Sequence, residues 1–175
     1  MSITVTEDTK ERLERLQHNI EDLLKEAKRR GASGAEASVG SSAGIEVSVR
    51  LGEVETVEHT RDNGLGITVY FGHRKGSAST SDLSPAALRD AVRAACDIAR
   101  YTQEDPRGHL ADSALMASGD LPDLDLYHPW AVGVEDAIEI ACACEDAARA
   151  WDPRIVNSEG ATLDTHMGLH VYGNS

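Results

Sequence analysis

Acidic side chains outnumber basic ones 30 to 17 in this chain of 175 residues, and the net charge of −13 opposes both nucleic-acid backbones and anionic membrane surfaces. Hydrophobic residues at 41% describe a globular chain, while aromatics at 4% leave the core to be built from Val, Ile, Leu and Ala. The length suits one domain of ordinary size, read here as a single α+β domain over residues 1–175.

Residues 1–8 are polar and read as a frayed end or a short strand. From about Thr9 to Arg30, Leu13, Leu16, Ile20, Leu23, Leu24 and Ala27 recur every three or four residues, which predicts an amphipathic helix closed by Gly31. Ala35, Ala37 and Val39 share one face of a weak strand, and Ser41-Ser42-Ala43-Gly44 reads as a turn after it. Residues 44–81 then form a meander of short strands around which the chain is organised. Ile45, Val47, Val49 and Leu51 alternate with polar residues, and Leu65, Ile67, Val69 and Phe71 repeat the pattern. Asp62-Asn63-Gly64 tolerates positive φ and predicts a tight hairpin between those runs. Val54 and Val57 have opposite parity, so a bulge or two partly covered faces is expected there. Residues 75–81 are almost all small and polar, as in an edge strand or one facing a partner.

Ser84-Pro85 opens a second helix with N-cap and first-turn chemistry, and Leu88, Val92, Ala95 and Ala99 are its apolar stripe. Residues 102–132 are interrupted by Pro106, Gly108, Gly119, Pro122 and Pro129, the pattern of a functional, partner-contacting or mobile loop. In it Leu121, Leu124, Leu126, Tyr127 and Trp130 form an apolar group with no helix or strand period to bury it, and exposure would favour self-association. A third helix runs from about Val134 to Trp151 and stops at Asp152-Pro153. Strand candidates near 155–165 and 168–173 follow, and the last segment ends abruptly, as though within or just after a hairpin. The resulting fold class is α+β: a mixed or antiparallel meander layered with about three α-helices.

No apolar run approaches the ~18 residues of a membrane span, and the N-terminus lacks an apolar leader core, so a soluble, cytoplasmic chain is expected. The three cysteines have no disulfide-framework spacing. Cys142 and Cys144 point about 200° apart on a helix and read as small hydrophobes in a reducing compartment.

His166 and His170 have the four-residue spacing of a helical zinc pair, but Gly168 reads as a turn residue and the flanking alternation reads as strand. Residues four apart on one strand are about 13 Å apart, too far to share an ion. Gly64-Leu65-Gly66 begins a strand and lacks the third glycine of a dinucleotide site. Ser77, Ser79, Thr80 and Ser81 have no base and acid patterned beside them, so a solvated strand is favoured over a nucleophile. His59, Arg61 and Asp62 read as polar groups beside a turn, and Glu53, Glu55 and Glu58 as a solvated acidic edge. No position is assigned a catalytic, cofactor-binding or metal role.

Six segments together carry a resemblance: residues 50–58 (RLGEVETVE), 63–70 (NGLGITVY), 76–84 (GSASTSDLS), 99–105 (ARYTQED), 123–127 (DLDLY) and 157–161 (NSEGA). The combination resembles the N-terminal domain of the TldD/PmbA family, in its PmbA (TldE) branch, also called modulator of DNA gyrase. The resemblance implies a cytoplasmic, zinc-dependent peptidase system of a TldD and a PmbA/TldE subunit, acting on unfolded or peptide-like substrates that include an antitoxin and microcin precursors. It places the zinc-binding H-E-x-x-x-H motif in the later part of TldD-type subunits, so zinc is expected in the TldD-like partner and none in this segment. It also implies that the C-terminal domain is absent here, and that the segment serves substrate access and subunit assembly without being catalytic alone. The alternative is a standalone interaction module with no peptidase role. A direct gyrase or DNA function conflicts with the charge of −13. Duplex DNA at physiological salt should therefore show no mobility shift at micromolar protein, since no counterion release drives binding.

Overall fold

The computed structural model describes residues 6–117, 119 and 122–175. Helix α1 spans Thr6–Arg29, strand β1 Gly34–Arg50, β2 Glu53–Phe71, β3 Arg74–Thr80, α2 Pro85–Tyr101, α3 Val134–Ala150 and β4 Ala161–Asn174, with one turn of 3-10 helix at Ser113–Leu115. The strands form one sheet in the order β3-β2-β1-β4. β2 and β3 are antiparallel, with Leu65 opposite Thr80 and Phe71 opposite Arg74. At the far edge Ala35 and Ser175 exchange both backbone hydrogen bonds, the signature of an antiparallel pair. The expected α+β class is thus observed, with β3 as the expected edge strand.

The meander is coarser than the sequence implied. β1 and β2 are 17 and 19 residues long, and both anticipated turns, 41–44 and 62–64, lie inside them as extended chain. The actual hairpin turn is Leu51-Gly52, with φ of 52° and 81°. Two consecutive positive φ values are the type I′ geometry that matches strand twist, and glycine adopts the second at no steric cost. Leucine does not favour the first, which costs about 1–2 kcal/mol. What offsets it is the Glu145 carboxylate on α3, which accepts the Leu51 and Gly52 N–H groups at 2.8 and 2.9 Å. Residues 155–160 are irregular, and the two strand candidates that followed α3 are one strand, β4, through which Gly168 passes without turning.

The chain divides into two compact units, and β1, β2 and β4 each contribute to both. The larger comprises Glu7–Ser41, Asp62–His128 and Leu169–Ser175. Its core joins Leu16, Ile20 and Leu23 of α1 and Leu88, Val92 and Cys96 of α2 to Ala37, Val39, Leu65, Ile67 and Val69 of the sheet. α1 begins three residues earlier than its apolar pattern does, and ends at Gly31, φ 90°, where Ala32 N–H reaches back to Ala27 O. Ser84 caps α2 through its hydroxyl, and Leu88, Val92, Ala95 and Ala99 are all buried, as the sequence predicted. The alanines let α2 approach β3 so closely that a Cβ at Gly76 would collide with Ala95 O and Ala99 N.

The smaller unit contains Ser42–Arg61 and Pro129–Gly168. Here Ala137 and Ala141 of α3 pack on Val47 and Val49, with Ile45, Ile138 and Leu163 beside them. Val54 and Val57 are both exposed, so neither bulge nor double coverage is needed to explain their parity. Cys142 is half-buried and Cys144 is exposed, and neither is in a disulfide. In the irregular stretch Leu126 and Trp130 are 82% and 61% exposed, and Leu124 and Tyr127 are exposed as well. Leu121 lies outside the described residues.

Two outcomes follow from this packing. Gly76→Ala should lower the unfolding free energy by about 3 kcal/mol or more in urea titrations, because helix backbone cannot yield to the added methyl. Leu126→Ser with Trp130→Ser should change stability by less than about 0.5 kcal/mol, and light scattering should show less association than in the parent chain.

Candidate functional site

In the larger unit the odd-numbered residues of β1 and β2 are buried in the core shared with the helices, so their even-numbered neighbours occupy the opposite sheet face. There Glu36 and Ser38 of β1, Gly66 and Thr68 of β2, Ser77 and Ser79 of β3 and Tyr172 of β4 line a trough of about 430 Å³. Strand register assembles it: Thr68 lies opposite Ser77 and Gly66 opposite Ser79. The Thr68 and Ser77 hydroxyls share a hydrogen bond of 2.9 Å. Gly66 leaves the floor open, since a Cβ there would meet only Ser38 Oγ, at 3.7 Å.

One end of the trough is set by Glu36. Tyr70 Oη donates to its Oε1 at 2.6 Å and Tyr172 Oη to its Oε2 at 2.8 Å. Burial pushes the Tyr70 phenol up to about 12, and the hydrogen bond and negative charge of Glu36 add to the shift. Tyr172 is raised for the same reasons, burial first. Ser33 Oγ donates to Tyr70 O and accepts from Gly72 N–H, which ties the β2–β3 turn to the start of β1. No histidine or lysine lines the trough, and the Glu36 oxygens accept from Tyr70 and Tyr172 instead of pairing with one of its serine or threonine hydroxyls as a base paired with a nucleophile would. The arrangement suits binding by hydrogen bonds.

Of the residues singled out from sequence, Gly66, Ser77 and Ser79 reach this site. His59, Arg61 and Asp62 lie on extended, exposed β2 and not beside a turn. Glu53, Glu55 and Glu58 are exposed on the same strand, with Glu55 3.9 Å from Arg50. His166 and His170 lie on β4 in extended chain, as expected. Among the described residues no three His, Cys, Asp or Glu side chains are placed to hold a metal ion. Glu36, Tyr70 and Tyr172 were missed. The available signal was a carboxylate set between two alanines on a strand otherwise facing the core.

Three helices and a four-stranded antiparallel sheet with a hydroxyl-lined face define a domain of the α+β class. The sequence profile of PmbA/TldA metallopeptidase domain 1 matches residues 35–99. The chain is 53% identical over 144 residues to "Metalloprotease PmbA" of Escherichia coli O157:H7, covering 82% of this chain and 32% of that protein. It is 52% identical over 149 residues to the PmbA homolog of Haemophilus influenzae, covering 85% of this chain and 33% of that protein. Among solved structures it resembles a protein of Bacteroides thetaiotaomicron VPI-5482 described as a modulator of DNA gyrase, at 25% identity and TM-score 0.71, over 98% of this chain and 39% of that one. TldE of Thermococcus kodakarensis shares the fold, at 19% identity and TM-score 0.71, over 90% of this chain and 35% of that one. The chain belongs to the PmbA/TldD metallopeptidase family, and its match is to the first domain of that family. It spans about a third of the length of the curated relatives it matches.

The raised Tyr70 gives a pH signature. Its folded value lies above the ordinary 10.0, so its contribution to stability is whole below pH 10 and is lost as pH rises through about 12. Phenolate absorbance should show a Tyr70 component that rises only as the pH approaches about 12. Glu36→Gln should bring Tyr70 down only part of the way, because burial remains.

Proposed function

We propose that this chain is the N-terminal domain of a PmbA/TldE-like subunit in a cytoplasmic, TldD/TldE-type zinc-dependent peptidase system. Its role there is substrate access and assembly with a TldD-like subunit, and it is not catalytic alone. The observation that carries this reading is the 53% identity to a protein named as a metalloprotease, over the part of that protein that the chain covers. The geometry supports a recognition role. β3 is an edge strand, short and built of small side chains, whose outer backbone groups are of the kind that pair with an added extended peptide. Main-chain pairing of this sort tolerates many sequences, as unfolded substrates such as an antitoxin or a microcin precursor require. The net charge of −13 favours neutral or basic segments. Among the described residues no helix is long and apolar enough to cross a membrane.

Co-expression with a TldD-like subunit tests the proposal. The two should co-purify, and the chain alone should leave casein undigested and carry less than one zinc per chain after dialysis. A stable monomer that ignores the TldD-like subunit would favour the standalone interaction module. One zinc per chain with chelator-sensitive cleavage would overturn both readings.

A further inference from the structure

We infer that the trough on the open sheet face is a subsite for a cationic side chain, an arginine or lysine of a polypeptide lying across the strands, held by Glu36. This rests on the peptide-recognition reading above and assigns it a place and a charge preference.

Glu36 is the only ionisable group with a charge at neutral pH among the side chains that line the trough. A carboxylate offers about four lone-pair positions. Tyr70 and Tyr172 take one on each oxygen, which leaves acceptor capacity on both and fixes the carboxylate's orientation. The remaining wall is made of groups that can accept as well as donate: the hydroxyls of Ser38, Thr68, Ser77 and Ser79. An ammonium or guanidinium brings donors only, and so complements a carboxylate flanked by hydroxyl oxygens. An anion would meet Glu36 with no basic residue to offset it, and an apolar group would leave its free lone pairs desolvated. The half-exposed ring of Tyr172 adds a wall of a kind that attracts cations. The volume of about 430 Å³ falls within the roughly 300–1,000 Å³ of ligand sites.

Two substitutions separate charge from shape. Glu36→Gln removes the charge and keeps an acceptor for a tyrosine hydroxyl. Gly66→Val fills the floor without touching Glu36, at a strand position where φ is not positive and no atom stands closer than 3.7 Å to the new Cβ. The probes are N-acetyl-arginine amide, followed by NMR shifts at residues 38, 66, 68 and 79, and a fluorescent extended peptide carrying arginine, with its citrulline counterpart as control. Saturable shifts with the arginine amide, and an arginine peptide bound about tenfold tighter than the citrulline one, with both effects lost in Glu36→Gln and Gly66→Val, support the assignment. Equal binding of the two peptides by parent chain and Glu36→Gln would overturn the cation site and leave the peptide-recognition reading standing. Absence of any binding by either peptide would remove both. Thermal melts of the two variants identify a misfolded protein, and for an unfolded Glu36→Gln the citrulline comparison on the parent chain decides alone.

Discussion

One buried carboxylate sets the register on which the sheet depends. Glu145 of α3 is 2% exposed and accepts the N–H groups of Leu51 and Gly52. Those two hydrogen bonds hold its carboxyl below the ordinary range and hold leucine in a conformation it otherwise avoids. A two-residue turn permits one pairing of β1 with β2. A slip by one residue would invert the faces of one strand relative to the other, so that Ala37 and Ile67 could no longer both face the core.

The parts of the fold legible in the sequence are those whose signal is local. The periods of α1 and α2, the Ser84-Pro85 start and the alternation at 45–51 and 65–71 each state a side-chain direction within a few residues. The turns were misread because tolerance of positive φ is permission and not instruction. Asn63 and Gly64 can turn but are equally able to extend, whereas Leu51 turns because a side chain 94 residues later stabilises it. Gly168 misled in the same way. The trough was illegible for a related reason: Glu36 meets Tyr172 only through pairing of strands 136 residues apart, and no local pattern encodes that.

The low aromatic content has a structural counterpart. With few large side chains to fill space, the core is closed by bringing backbones together, as alanines of α2 and Gly76 do on β3 and Ala137 and Ala141 do on β1. Close approach of this kind is intolerant of added volume. Added volume is tolerated best on the open face and in the irregular stretch after α2, where no backbone stands in close contact.

The division of the three long strands between two units has a consequence for synthesis. The larger unit draws on three separate stretches of chain and the smaller on at least two, so neither can be excised as a continuous fragment. β1 is made well before its partner β4, which is completed only when residues 161–174 emerge. Until then one edge of β1 stays unpaired, and a nascent chain carries an open strand edge while the roughly one hundred residues between the two strands are made, an invitation to wrong pairing that β4 finally withdraws.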